Sequence, residues 1–282
     1  MKVRISYHGS KPLDLDASGA MSGTHRSAVL LIDWLRRDGH EVELYGSFPA
    51  SFRSVGDNWR PNDTPHIIIS GSESYFPELY ASGVRGAIYW LQNPYRLRRF
   101  SRWIASGLLG SLVCVSQWHR RQYRLLDRLG RVAVIPNMFK SEGLQCESYR
   151  HNSSKRLLFL GAPVPGKGID ELLNAWRLGE LWRLGTLAVA GSRDLYGAEL
   201  RLALGAQGSI ANSSNTHGKG IEFLGSVDHA RVAREVSAAR AVIVNPKVSG
   251  SPETFCNAAA EALTLGRPVI GGNYGALKEV LV

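Results

Sequence analysis

The chain predicts an α/β protein built as two doubly wound parallel sheets in succession, facing a cleft. Three observations lead there. Short β-rich apolar runs alternate with helical patterns from end to end, and a polar break near residues 140–154 splits the alternation into two series. The 282 residues, 44% of them hydrophobic, suffice for two cores of ordinary size. The expected division is residues 1–139, a linker at 140–154, and residues 155–282.

In the first series, strands are expected at Val3–Tyr7, Glu41–Tyr45, His66–Ser70, Ala87–Trp90, Ser111–Val115 and Val132–Ile135. Helical patterns fit Arg26–Arg37 and Gln117–Leu129 between them. The second series has strands at Arg156–Leu160, Thr186–Ala190, Ile221–Leu224, Ala241–Asn245 and Pro268–Ile270. Its helices are expected at Ile169–Arg177, Ala230–Ala238 and Thr254–Leu265. Gly, Ser and Asn crowd residues 205–220, which reads as a surface loop. In sheets of this kind a ligand belongs at the carboxyl ends of the strands.

Composition narrows the function. A net charge of +10 favours anionic partners, whether nucleotide diphosphates, phosphorylated acceptors or anionic lipid. No zinc-finger spacing or RNA-binding aromatic signature is present, so nucleic acid is not expected. Cys114, Cys146 and Cys256 are scattered without a C-x-x-C, which argues against a disulfide framework or a zinc site. Met1–Ile5 leads straight into an apolar run without a signal-peptide pattern, and Ile104–Val115 is far short of a membrane span. A cytoplasmic protein is expected, at most resting on the inner face of a membrane.

The most informative segment is Ser251-Pro252-Glu253-Thr254-Phe255-Cys256-Asn257-Ala258-Ala259-Ala260-Glu261, followed by Gly266-Arg267-Pro268-Val269-Ile270. On a continuous helix its two carboxylates would stand roughly 12 Å apart along the axis. That matches the length of a nucleotide-sugar, with a diphosphate at the helix N-terminus, where free N–H groups favour anions. Ser251 or Thr254 could cap the helix. Two glutamates on a solvated helix face is the plainer reading of such a pair.

Other landmarks stand in order: Ser22-Gly23-Thr24-His25-Arg26, Gly39-His40-Glu41-Val42, Val115-Ser116, Ile135-Pro136-Asn137, and Gly161 through Lys167-Gly168. Together with the Glu-x7-Glu segment they resemble the retaining glycosyltransferases of family 4, the group 1 enzymes. These have the glycosyltransferase B fold of two Rossmann-like domains. The resemblance implies transfer of a sugar from a nucleoside-diphosphate donor on the second domain to a glycan or glycolipid acceptor on the first. It implies that Glu253 holds the transferred sugar and Glu261 the ribose, with backbone amides near Thr254, Phe255 and Cys256 facing the phosphates. That family continues past this segment with further helices, so the second domain is expected to be incomplete.

Lys167, between a strand and a helix, can neutralise a departing diphosphate. An exposed loop lysine is the alternative. The family pairs it with an Arg where Ala162 stands; Arg193 or Lys247 could supply that charge. Gly161 opens the same loop. Gly23 would let backbone approach the donor phosphates, or simply serve a turn. Gln92 stands near where relatives carry a His that reaches the sugar, and it can hydrogen-bond but not titrate. His25 and His119 read as surface or helix residues. Asp14-Leu15-Asp16 spells the D-x-D of metal-dependent transferases, but in the wrong context, so no metal or other cofactor is expected. No G-x-G-x-x-G follows the first strand of either half, which argues against a nicotinamide enzyme. Tyr95–Trp103, with Arg120, Arg121, Arg124 and Arg128, could form a basic, aromatic face for anionic lipid, or a solvated one.

Overall fold

The computed structural model describes residues 1–8, 12–13, 15, 23–52, 65–70, 73–94, 96–138, 154–191, 220–246 and 252–281. These form two compact units.

The first unit is a six-stranded sheet, all neighbours parallel, in the order β2-β1-β3-β4-β5-β6. Its strands are β1 Lys2–His8, β2 Glu41–Gly46, β3 His66–Ser70, β4 Ala87–Trp90, β5 Leu109–Cys114 and β6 Val132–Val134. β1 is buried from Val3 to His8, as a strand covered on both faces must be. Helix α1, Gly23–Arg37, begins three residues earlier than its apolar pattern suggests and buries Ala28, Ile32 and Leu35. Short helices α2, Phe76–Ala81, and α3, Ser101–Ala105, were not legible, because one turn carries too little periodicity.

The long helix expected at Gln117–Leu129 is broken. It forms α4, Gln117–Arg120, a 3₁₀ turn at Arg121–Tyr123, and α5, Arg124–Arg128. Tyr123, at φ −119° and ψ 37°, leaves the helical path and puts its ring into the core beside Phe100, 5.7 Å between centroids. Two aromatics of the expected basic, aromatic face turn inward. Phe100 and Trp103 are buried core residues; Arg102 lies over the Trp103 ring at 4.6 Å. Burying those rings outweighs leaving them in water by about 1.5–3 kcal/mol each.

The second unit is a five-stranded parallel sheet in the order β11-β10-β7-β8-β9. Its strands are β7 Arg156–Leu160, β8 Thr186–Ala190, β9 Ile221–Gly225, β10 Ala241–Val244 and β11 Val269–Gly271. Helices α6, Ile169–Leu178, α7, His229–Ala238, α8, Asn257–Thr264, and α9, Leu277–Val280, complete it. One apolar cluster lies around Leu158, Val242, Ala259, Ala262 and Leu277, another around Phe159, Trp176, Val189 and Ile243.

Candidate functional site

β7 and β10 lie side by side in the second sheet, yet the chain leaves them in opposite directions. From β7 it runs through α6 to β8, and from β10 through α8 to β11. This is a topological switch point, where loops part above the carboxyl ends of two strands and leave a crevice. Lys167 stands on the loop after β7 and Glu253 on the loop after β10. Lys167 Nζ donates to Glu253 Oε1, so 86 positions of sequence close into one ion pair. The Glu253 side chain is largely buried, whereas that of Lys167 is 40% exposed.

Two glycines hold these loops. Gly168, at φ +73°, presses on the end of β10: a Cβ there would stand 1.7 Å from the Asn245 carbonyl oxygen. Only glycine permits both that approach and that backbone angle. On the other side, the Glu253 carbonyl accepts from the Ala276 amide at 2.9 Å. Gly275, at φ +62°, lies so close that its Cβ would be 2.8 Å from the same oxygen. Three loops therefore converge on Glu253 and Lys167.

The helix expected from Thr254 begins only at Asn257. Cys256 is the residue before it, at φ +71° and ψ 77°, and that left-handed conformation separates Glu253, Thr254 and Phe255 from the helix. The axial spacing of roughly 12 Å therefore does not describe the two glutamates. Thr254 is buried and does not cap the helix; Ser251 lies outside the described residues. A non-glycine residue in this region costs about 1–2 kcal/mol. Cys256 offsets it by burying its side chain in the cluster with Ala259 and Ala262. Burial pushes its thiol up to about 12, and the Glu253 carboxylate adds to that rise, while the Ala259 amide, Lys167 and the Ala258 amide oppose it. The thiol is protonated at neutral pH and is not a nucleophile.

Glu261 is half-buried within α8, one turn from its C-terminus. Phe255 is half-buried, and Gly161 directly follows β7 with open space where a Cβ would be. Ala162 is half-buried. Arg193, Lys247, Asp14 and Asp16 lie outside the described residues. The structure thus brings Lys167, Glu253 and Cys256 together at one edge of the second sheet. The first amides of α8, which no helical carbonyl can reach, start from the same place.

In the first unit, Gly23 is exposed as the first residue of α1. Gln92 is buried just past β4, and its Nε2 donates to Asn137 Oδ1 at 3.1 Å. His25 is half-buried and meets the Tyr7 ring edge-on at 5.5 Å. His119 is fully buried on α4, its Nε2 3.2 Å from the Asn93 carbonyl, and burial lowers its pKa to about 4. No spacing signals the bracket of Gly275 and Ala276 around Glu253, although Asn273-Tyr274-Gly275 is a recognisable turn sequence.

Chemically, among the described residues, the edge offers one cation, one carboxylate and a helix N-terminus. A polyol can bond the carboxylate, and an anion can take the cation and the amides.

Residues 154–282 match the family model of the group 1 glycosyl transferases. No curated protein matches the chain. The fold is shared with solved structures across nearly all of this chain. AviGT4, a glycosyltransferase involved in avilamycin A biosynthesis, is 19% identical over 99% of this chain and 81% of its own, with a TM-score of 0.62. Sucrose-phosphate synthase from Thermosynechococcus elongatus is 17% identical over 99% and 84%, with a TM-score of 0.68. WaaG, a glycosyltransferase of lipopolysaccharide biosynthesis, is 13% identical over 98% and 83%, with a TM-score of 0.64. Two parallel-sheet units of this kind are the glycosyltransferase B fold.

Proposed function

We propose, starting from the group 1 glycosyl transferase domain of residues 154–282, that the chain is a retaining glycosyltransferase using a nucleoside-diphosphate sugar. The observation that carries this reading is the Lys167–Glu253 pair at the switch point of that domain. In the free protein each charge neutralises the other. A bound donor would exchange that contact for stronger ones, its phosphates taking Lys167 and its sugar hydroxyls taking Glu253.

Glu261 would bond the ribose, and the amides of Phe255, Cys256 and the start of α8 would face the diphosphate. As the glycosidic bond breaks, negative charge grows on the leaving phosphate, and Lys167 with the helix N-terminus would stabilise it without a metal ion. Gly161 and Arg193 belong to the same donor site in this reading. Gln92, held by Asn137, can hydrogen-bond a hydroxyl but cannot titrate. The acceptor hydroxyl would attack from the side the diphosphate leaves and pass its proton to that departing phosphate, which retains configuration. Because no protein nucleophile is used, the protein's contribution is position and charge.

The acceptor would be a glycan or glycolipid. Exposed Arg124, Arg128 and Arg131 with exposed Leu125 and Leu129 make a basic, partly apolar face on the first unit, which suits an anionic membrane surface. Among the described residues no helix is long and apolar enough to cross a membrane. A cytoplasmic site of action fits this reading.

Ala162, in the place of a second cation, favours one other reading: a relative that binds the nucleotide-sugar without turning it over. Thermal-shift measurements with UDP, GDP and ADP, followed by donor hydrolysis assays, separate the two. A raised melting temperature with one diphosphate and measurable sugar release supports transfer. Binding without release makes the chain a non-catalytic binder, and absence of any shift overturns both.

A further inference from the structure

At the opposite edge of the second sheet, where β7 and β8 begin, lies a shallow, widely open depression of about 420 Å³. Among the described residues, Lys155, Arg156 and Arg183 line it together with Trp182 and Leu184, and no carboxylate does. A strand of five residues spans roughly 16 Å, so this depression is separate from Lys167 and Glu253.

The floor of the depression is held in place. The Lys155 carbonyl accepts from the Thr186 amide at 3.1 Å, and the Arg156 carbonyl accepts from the Arg240 amide at 2.7 Å. Gly185 passes so close to Lys155 that a Cβ would be 1.9 Å from its carbonyl oxygen. Arg156 is anchored from behind, its Nε on Glu222 at 3.0 Å and its Nη2 on Glu235 at 2.6 Å. Those two carboxylates spend much of the Arg156 charge, and Glu235 also takes Arg231. The buried Nη1 of Arg156 has no hydrogen-bond partner among the described residues.

The cations on the wall are less committed. Lys155 is exposed and makes no ion pair among the described residues. Arg183 engages Glu180 through Nε alone, at 2.8 Å, and its side chain is 70% exposed. Two such cations favour a group with two negative charges over one. Beside them stand Trp182, half-buried and packed partly against the core cluster of Trp176, and Leu184, itself 70% exposed, which offer apolar contact to whatever bears the charge. An anion alone would leave that wall in water.

We infer that the depression of Lys155, Trp182 and Arg183 is a second ligand site, for an organic phosphomonoester, distinct from the donor site. The phosphate sits between Lys155 and Arg183, and the organic part lies on Trp182 and Leu184. Two sources present this chemistry: a soluble phosphorylated metabolite, or the monoester headgroup of a lipid such as phosphatidic acid.

Titration of the whole chain with phenyl phosphate and with inorganic phosphate tests the site, alongside flotation with phosphatidylcholine vesicles with and without phosphatidic acid. UDP binding serves as the measure of an intact donor site. Phenyl phosphate is expected to bind several-fold more tightly than inorganic phosphate, and added salt should weaken it. Lys155→Ala with Arg183→Ala should weaken it at least tenfold, and Trp182→Ala should erase its advantage over inorganic phosphate, with UDP binding unchanged in both. Lys155→Glu alone provides a milder variant should either of these fail to fold. Tight binding in solution without a vesicle preference identifies a soluble ligand; capture by phosphatidic acid vesicles that the double variant loses identifies the lipid. Absence of binding to both probes, or binding that the variants leave unchanged, overturns the site. Failure of UDP, GDP and ADP alike to bind would instead count against the proposed donor site, and the two results are read independently.

Discussion

Gly168 and Asn245 meet backbone to backbone: a Cβ on Gly168 would stand 1.7 Å from the Asn245 carbonyl oxygen. The first loop of the second unit thereby rests on the end of β10, and Lys167 is delivered to Glu253.

Gly168→Ala should therefore be among the more damaging single substitutions in this unit. It adds a left-handed penalty of about 1–2 kcal/mol to a clash with main chain. A fall in melting temperature of several degrees is expected, with weaker donor binding as Lys167 shifts. Gly166→Ala, two residues earlier with nothing within 4 Å of its Cβ, should change little. Equal behaviour of the two variants in thermal unfolding would contradict the packing argument.

The two glutamates should separate kinetically. Glu253→Gln is expected chiefly to lower turnover and Glu261→Ala chiefly to weaken donor binding, each costing on the order of 1.5–3 kcal/mol. Steady-state kinetics with the donor identified by thermal shift would measure both. Wild-type parameters in folded variants would remove these residues from the site.

Cys256→Val should destabilise by about 2 kcal/mol or more, since a β-branched residue fits φ +71° worse than cysteine does. Cys256→Gly should stay within about 1 kcal/mol of wild type, because relief of the left-handed strain offsets the lost burial. Chemical denaturation distinguishes them, and the reverse ranking would contradict the strain.

Acid should destabilise the first unit before neutral pH is far behind. Burial lowers His8, His66 and His119 to about 4, and positive neighbours add to the effect at His66. A depressed histidine is neutral when folded but takes a proton when unfolded. Its contribution is thus present above an unfolded value of about 6.5 and is lost as pH falls toward 4. Each should contribute on the order of 1–3 kcal/mol. Melting temperature should fall steadily between pH 6.5 and 4, less steeply in His119→Gln. A flat profile would mean that these rings are solvated.

Transfer should persist in excess EDTA, since Lys167 and the start of α8 would take the place of a metal. An absolute Mn²⁺ or Mg²⁺ requirement, abolished by Asp14→Ala with Asp16→Ala, would restore the D-x-D motif to the mechanism.

The strands were legible because parallel strands covered on both faces must be nearly continuous apolar runs, as in Leu157–Leu160 and Ala241–Val244. The longer helices were legible from their periodicity, and the order of turns and glutamates pointed to the group 1 domain. Local pattern could not show the break at Tyr123, where an aromatic ring prefers the core to a straight helix. Nor could it show that α8 waits until Asn257, because that delay is imposed by a left-handed Cys256 and by Gly275 and Ala276 pressing on Glu253. Sequence alone determined which segments become the strands and the longer helices, though not every helix end or break, since period and apolarity are properties of neighbours along the chain. Tertiary structure decided that Lys167 meets Glu253, because strand order places β7 beside β10, and strand order depends on contacts between residues distant in sequence.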